Sequence, residues 1–261
     1  MSLELSVKEK YFVHNTISYN AFYLILLDAL TKKNALSVAR AADGEKILMD
    51  EYLKHGSGAF EPIEAMDEDW LKRYGIHGIT REELYRRILR AGTECTYFAP
   101  SISGVANKGY SVWDYFPLRK EYVDNFFVND FKWEMKENLV KTAGHVLLIH
   151  GNPHTADSMQ LRLQANLGVK VDYIRLTNWR DSEAVIQAAH KINAPLVLFS
   201  GGPASKYIAN DIATEGNIPK VVIDLGAAAQ HWTFEHLPAD RAAAEKFHKE
   251  WVQRNNQKIS I

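Results

Sequence analysis

The sequence predicts an α/β fold in which a mainly parallel sheet carries helices on both faces. Two observations lead there. From His145 onward, short apolar runs alternate with longer helical patterns in a βαβαβαβ order, which implies parallel strands joined by right-handed crossovers. Earlier, the apolar run Leu36–Ser37–Val38–Ala39 leads straight into the polar segment Arg40–Ala41–Ala42–Asp43–Gly44–Glu45, as a strand does when it ends in a loop at the sheet's carboxyl edge. A Rossmann-like arrangement follows, as a single domain over residues 1–261.

Each element has a local reason. Asn15 to Lys33 places Ile17, Phe22, Ile25, Leu26 and Leu30 on one helical side. The strand Leu36–Arg40 precedes an acidic loop and a helical stretch, Ile47 to Lys54. Met66 to Arg73 reads as a short helix, and Thr80–Arg81–Glu82–Glu83 as a capping box opening a helix to about Ala91. Thr96 to Ala99 is a short strand ending at the polar turn Pro100–Gly104. Residues 100–140 form an aromatic-rich helical insertion containing Tyr110, Trp113, Tyr115, Phe116, Phe126 and Phe131. Beyond it the elements are strand His145–Ile149, helix Thr155–Leu167, strand Val169–Arg175, helix Asp181–Ile192 and strand Leu196–Ser200. A helix from Pro203 and a strand Lys220–Leu225 follow. Residues 238–261 read as a final helix and a polar tail.

Composition narrows the function classes. A 261-residue chain with 46% hydrophobic content can bury a full core. The net charge of −1 argues against gripping nucleic acid by bulk electrostatics. Cys95 is the single cysteine, so no internal disulfide framework exists and a reducing cytoplasm is expected. Residues 1–10 do not read as a signal peptide, and Ala21–Leu30 is too short to span a bilayer and contains Asp28. A homo-oligomer is compatible with all of this.

Two segments carry chemistry. In Asp43–Gly44–Glu45 two carboxylates flank a glycine; extended backbone would turn both the same way, toward one hard cation such as Mg²⁺ or Mn²⁺. Arg40 adds a fixed cation suited to a diphosphate. Asp-Gly is also a common turn dipeptide. The second segment, Gly201–Gly202–Pro203 after the Leu196 strand, is a strand–turn–helix signature that exposes backbone N–H groups to phosphate. Ser205 and Lys206 could add a hydroxyl and a charge. Asp224 and Gly226 end the last strand, where a carboxylate could hold a sugar hydroxyl or cap a loop.

Together these segments resemble the GT-D type glycosyltransferases. That family's pattern is a strand into Arg-Phe-Gly-Asp-Gly-Glu, a later Gly-Pro-x-(Ala/Ser)-Lys turn, and a strand ending Asp-(Ile/Leu)-Gly-His. Here the segments read Arg40–Ala41–Ala42–Asp43–Gly44–Glu45, Gly202–Pro203–Ala204–Ser205–Lys206 and Asp224–Leu225–Gly226, in the same order. Ala41–Ala42 replace Phe-Gly, and Ala227 stands where the family has histidine, with His231 the nearest imidazole. The resemblance implies a metal-dependent enzyme moving a sugar from a nucleoside-diphosphate-sugar to an acceptor hydroxyl. The acceptor would be a glycan, a glycoprotein or a modified nucleic-acid base. Asp43 and Glu45 would hold the Mn²⁺ or Mg²⁺ ion, and Asp43, Glu45 and Asp224 would be catalytic. Arg40, Gly44, Gly202, Pro203, Ser205, Lys206, Gly226 and His231 would bind the donor. A metal-dependent phosphohydrolase or nucleotidyl enzyme, or a non-catalytic nucleotide-binding module, could use the same loops.

Other groups have two readings. His150 or His154 could line a pocket or face solvent. Trp179 and Arg180 could contact a base and a phosphate, or simply pack. Lys72, Arg73, Arg81, Arg86, Arg87 and Arg90 could form a phosphate patch or a solvated helix face. The aromatic segment could form an acceptor platform, though a hydrophobic subcore is the plainer expectation.

Overall fold

The computed structural model describes residues 7–61, 71–72, 74–101 and 115–232, apart from the side chains of residues 7–9, 43, 154, 227 and 230. The expected helix over 66–73 falls within the description only at Leu71 and Lys72. Tyr110, Trp113 and the expected C-terminal helix and tail lie outside it.

The chain opens with helix α1, Val7–His14, which the sequence reading did not anticipate, and α2, Tyr19–Lys32. Helix α2 starts later than expected because the Ser18 hydroxyl caps it, accepting the Ala21 N–H at 3.2 Å. Strand β1, Leu36–Ala41, runs directly into α3, Asp43–His55, and α4, Arg81–Glu94, leads to β2, Tyr97–Pro100. The acidic segment is therefore the first turn of a helix and not a loop. The short α5, Phe127–Asp130, and α6, Trp133–Ala143, precede β3, His145–His150. Then come α7, Pro153–Leu167; β4, Lys170–Arg175; α8, Ser182–His190; β5, Leu196–Ser200; α9, Ile208–Thr214; and β6, Val221–Asp224. Three 3₁₀ turns complete the described chain, at Trp179–Asp181, Pro203–Ser205 and Gly226–Trp232.

All six strands pair in parallel, in the order β2-β1-β6-β5-β3-β4. Alternate strand residues serve two cores. Val38, Leu148, Leu198 and Ile223 pack with α2, α6 and α7 on one face, and Ala39, Leu147, Val197 and Val222 pack with α8 and α9 on the other. The Rossmann-like α/β expectation is met. The described aromatics of the 100–140 region pack inward: Phe116, Tyr122, Phe127 and Phe131 are buried, and Phe127 meets Phe22 edge-on at 5.0 Å. They join two hydrophobic clusters, Phe127 and Phe131 in one and Phe116 and Tyr122 in the other, and none of the four forms an open platform. No helix among the described residues is long and apolar enough to cross a membrane.

Candidate functional site

Sheet topology creates the opening in which the site lies. Strands β3 and β5 are neighbours, yet the helices that follow them leave toward opposite faces. Met159 and Leu163 of α7 join one core, and Ile208 and Ile212 of α9 join the other. Such a switch point leaves a crevice at the strands' carboxyl ends, where α/β sheets bind ligands. A cavity of about 830 Å³ occupies this place, within the size range of small-molecule sites. The ends of β1, β3 and β5 form its floor, through Arg40, His150 and Ser200. The N-terminal turns of α3 and α7 border it through Gly44, Glu45, Asn152 and Thr155. Both helices present their positive ends to it, and Lys72 adds a cation at the rim.

The sheet order also brings the three sequence motifs together, because β1, β6 and β5 lie side by side. Lys206 is the hub. Its ammonium lies 2.9 Å from Glu45 Oε1 and 3.1 Å from Asp224 Oδ2, and donates to the Arg40 carbonyl at 2.6 Å. Burial alone would lower its pKa, but Asp224 and Glu45 outweigh that and hold it above the ordinary lysine value. Glu45 Oε2 accepts the Ala42 N–H at 2.8 Å, the backward half of a capping box that has no side-chain acceptor at Ala42. Asp224, buried to 1% exposure, accepts the N–H of Arg40 at 3.1 Å and of Gly226 at 2.9 Å. Arg40 donates through Nε to the Asn125 carbonyl at 2.8 Å and through Nη1 to the Leu225 carbonyl. Burial lowers its pKa, opposed by Asp224 and Glu45.

The turn after β5 depends on glycine. Gly202 has φ +76°, and a Cβ there would lie 2.3 Å from the Tyr74 carbonyl oxygen. The turn thus packs directly under the segment bearing Lys72 and Tyr74. On the far wall, Nδ1 of His150 accepts the Asn152 N–H at 2.8 Å, which puts the ring proton of the neutral imidazole on Nε2. Burial pushes the His150 pKa down and favours that neutral form.

The expected site residues are thus distributed as follows. Arg40, Gly44, Glu45, Gly202, Pro203, Lys206 and Gly226 line the cavity. Asp224 sits behind them as the partner of Lys206 and Arg40. The side chains of Asp43 and His154 lie outside the described residues. Ser205 is turned away: its hydroxyl pairs with that of Ser182 at 3.2 Å, in a buried contact. His231 does not line the cavity, and its carbonyl accepts Lys136 Nζ at 3.3 Å. Trp179 is sandwiched between Arg87 and Arg180, whose guanidinium carbons lie 4.9 and 4.7 Å from its ring, so it packs and does not face the cavity. Three of the four arginines of α4 pair with glutamates four residues away, Arg86 with Glu82, Arg87 with Glu83 and Arg90 with Glu94. Arg90 also reaches Asp211 at 2.9 Å.

One residue that the sequence did not single out stands in the wall. Asn125 is 2% exposed and lines the cavity, and its side-chain Oδ1 has no hydrogen-bond partner among the described residues. A buried acceptor without a partner costs stability. No motif surrounds Asn125 in the sequence; its place comes from the loop that Arg40 pulls in through the Asn125 carbonyl. No family model, curated protein or solved structure matches the chain.

Proposed function

We propose that the protein is a glycosyltransferase that takes a sugar from a nucleoside-diphosphate-sugar and passes it to an acceptor hydroxyl in this cavity. One observation carries the reading. Three motifs far apart in sequence end on three neighbouring strands and line one crevice, at a switch point bordered by two helix N-termini. The diphosphate would lie against those N-termini, Lys72 and the Gly202–Pro203 turn. The acceptor oxygen bonds to the anomeric carbon as the bond from that carbon to the diphosphate oxygen breaks. The nucleoside diphosphate leaves with the electron pair, and the positive ends of α3 and α7 stabilise its growing charge. The acceptor proton passes to a carboxylate. Of the expected catalytic carboxylates whose side chains are described, Glu45 lines the cavity and Asp224 does not.

The resemblance places a divalent ion on Asp43 and Glu45. The described donor set does not fit one as arranged. Glu45 is engaged at one oxygen by Lys206 and at the other by the Ala42 N–H. The backbone of residues 43–45 is helical and not the extended form on which the paired-carboxylate expectation rested. Among the described residues no three His, Cys, Asp or Glu side chains converge as metal ligands. No step above is routed through an ion.

A thermal-shift panel of nucleotide-sugars, followed by assay of nucleoside diphosphate release, tests the reading. One nucleotide-sugar should raise the melting temperature and be turned over, and Glu45→Gln should abolish transfer while the fold persists. Phosphate release without sugar transfer would indicate a phosphohydrolase instead. Binding without turnover of any donor would indicate a binding module.

A further inference from the structure

Lys206 engages the carboxylate of Glu45, one of the two ligands that the resemblance implies for a divalent ion. It is nearly buried, lines the cavity, and lies between the carboxylates of Glu45 and Asp224. Hard cations bind carboxylate oxygens at about 2.0–2.6 Å, and Glu45 Oε1 already has an ammonium at 2.9 Å. A metal ion on that oxygen and the ammonium beside it would repel at short range in a poorly solvated site. The ammonium is also covalently tethered and held by three acceptors, Glu45, Asp224 and the Arg40 carbonyl. It is a preorganised charge of the kind that needs no reorganisation when a ligand's charge develops.

From this geometry we infer that Lys206 is the built-in counter-cation of the diphosphate site, so that a nucleoside diphosphate binds here without a divalent ion. The inference rests on the proposed donor site and deepens it. Positive charge at the crevice then comes from Lys206, Lys72 and the ends of α3 and α7, with no exchangeable component. Glu45 and Asp224 act as a brake on this charge, because the two carboxylates that position the ammonium also neutralise it in the resting site.

Calorimetric titration of the full chain tests this, using inorganic pyrophosphate and a panel of UDP, GDP, ADP and CDP as probes, each in EDTA and in Mn²⁺. The expected result is a Kd that changes by less than about twofold between the two conditions. Glu45→Gln gives the two accounts opposite signs. It should tighten diphosphate binding in EDTA if Lys206 is the cation, and weaken binding in Mn²⁺ if Glu45 holds a metal. Lys206→Met should weaken binding by about tenfold or more in EDTA. Because it strands two carboxylates, the double variant Lys206→Met with Glu45→Gln serves as a second probe, and should show the same loss relative to Glu45→Gln alone. Binding that requires Mn²⁺, or that survives removal of the Lys206 charge, overturns the inference and leaves the donor site standing. Binding of no diphosphate in either condition overturns both.

Discussion

The backbone N–H of Arg40 donates to the Asp224 carboxylate across 184 positions of sequence, at 3.1 Å. That bond ties the end of β1 to the end of β6 and fixes the height at which the two strands release their loops into the cavity. The same carboxylate accepts Lys206 and the Gly226 N–H. Asp224 is thus a three-way junction between the first motif, the turn after β5 and the last strand, and its contribution to the site is positional.

Asp224→Asn should therefore lose stability even where it keeps hydrogen-bonding shape. The change leaves Lys206 and Arg40 with Glu45 as the remaining carboxylate of the cluster, and breaking a buried pair costs about 3–5 kcal/mol when one partner is removed. Urea denaturation should show a lower midpoint with an unchanged slope. A variant within about 0.5 kcal/mol of wild type would refute the junction role.

Gly202→Ala should be worse than a surface glycine change. Its φ of +76° penalises any side chain, and the added Cβ would collide with the Tyr74 carbonyl at 2.3 Å. The cost should exceed the approximately 1 kcal/mol of a positive-φ alanine alone, because backbone must move. Gly144, also at positive φ but with nothing near a Cβ, is the control. Equal melting-temperature losses for the two would show that the Tyr74 contact does not constrain the turn.

Lys136 should make stability depend on pH at the alkaline side. It is 2% exposed, beneath the rings of Trp133 and Trp232, and burial lowers its pKa to about 7, opposed by Asp130. Between that value and the unfolded lysine value the unfolded chain holds the extra proton, so stability rises with pH there. Asp130, pushed up to about 6 by burial, works the opposite way: the folded chain holds its proton more tightly, so stability falls as pH rises from about 4 to 6. Stability should therefore dip between about pH 6 and 7 and recover by up to about 2 kcal/mol toward pH 9. Denaturation of wild type and Lys136→Met across that range checks it. The variant should lack the recovery, and parallel profiles would sink the assignment.

Asn125→Leu should separate stability from binding. Removing an acceptor that has no partner among the described residues should leave stability unchanged or raise it by about 1 kcal/mol. Nucleotide-sugar affinity should fall by about tenfold if Oδ1 accepts a ligand hydroxyl or N–H. Paired melting and titration curves read both. Loss of stability without loss of affinity would make Asn125 a structural residue.

The sequence was legible where local pattern and burial agree. Val146–Ile149 and Leu196–Phe199 are continuous apolar runs because a parallel strand is covered on both faces, and their alternation with helices disclosed the fold class. The acidic segment misled in conformation: Asp43–Gly44 reads as a turn, but Glu45 reaches back to the Ala42 N–H and starts α3 at once. Ser205 looked free to meet phosphate; the 3₁₀ turn rotates it onto Ser182 instead. Helix α1 has weak amphipathic character and left no periodic signal. Strand order was beyond local reading, since no residue of β6 announces that its neighbours will be β5 and β1, and with strand order went the pairing of Lys206 with Glu45.

That strand order has a consequence for how the molecule is made. Strand β6 is the last of the six described strands, yet it sits between β1 and β5, and within the sheet it alone joins the β1–β2 pair to the β3–β4–β5 group. Until residues 221–224 have left the ribosome, the early pair and the later trio have no shared hydrogen-bonded edge, and each exposes a flank that any extended peptide could occupy. Closure then matches Leu36 with Val221, a contact of long loop entropy and slow formation. The switch-point cavity, whose walls come from both groups, is completed only once β6 has paired with both neighbours.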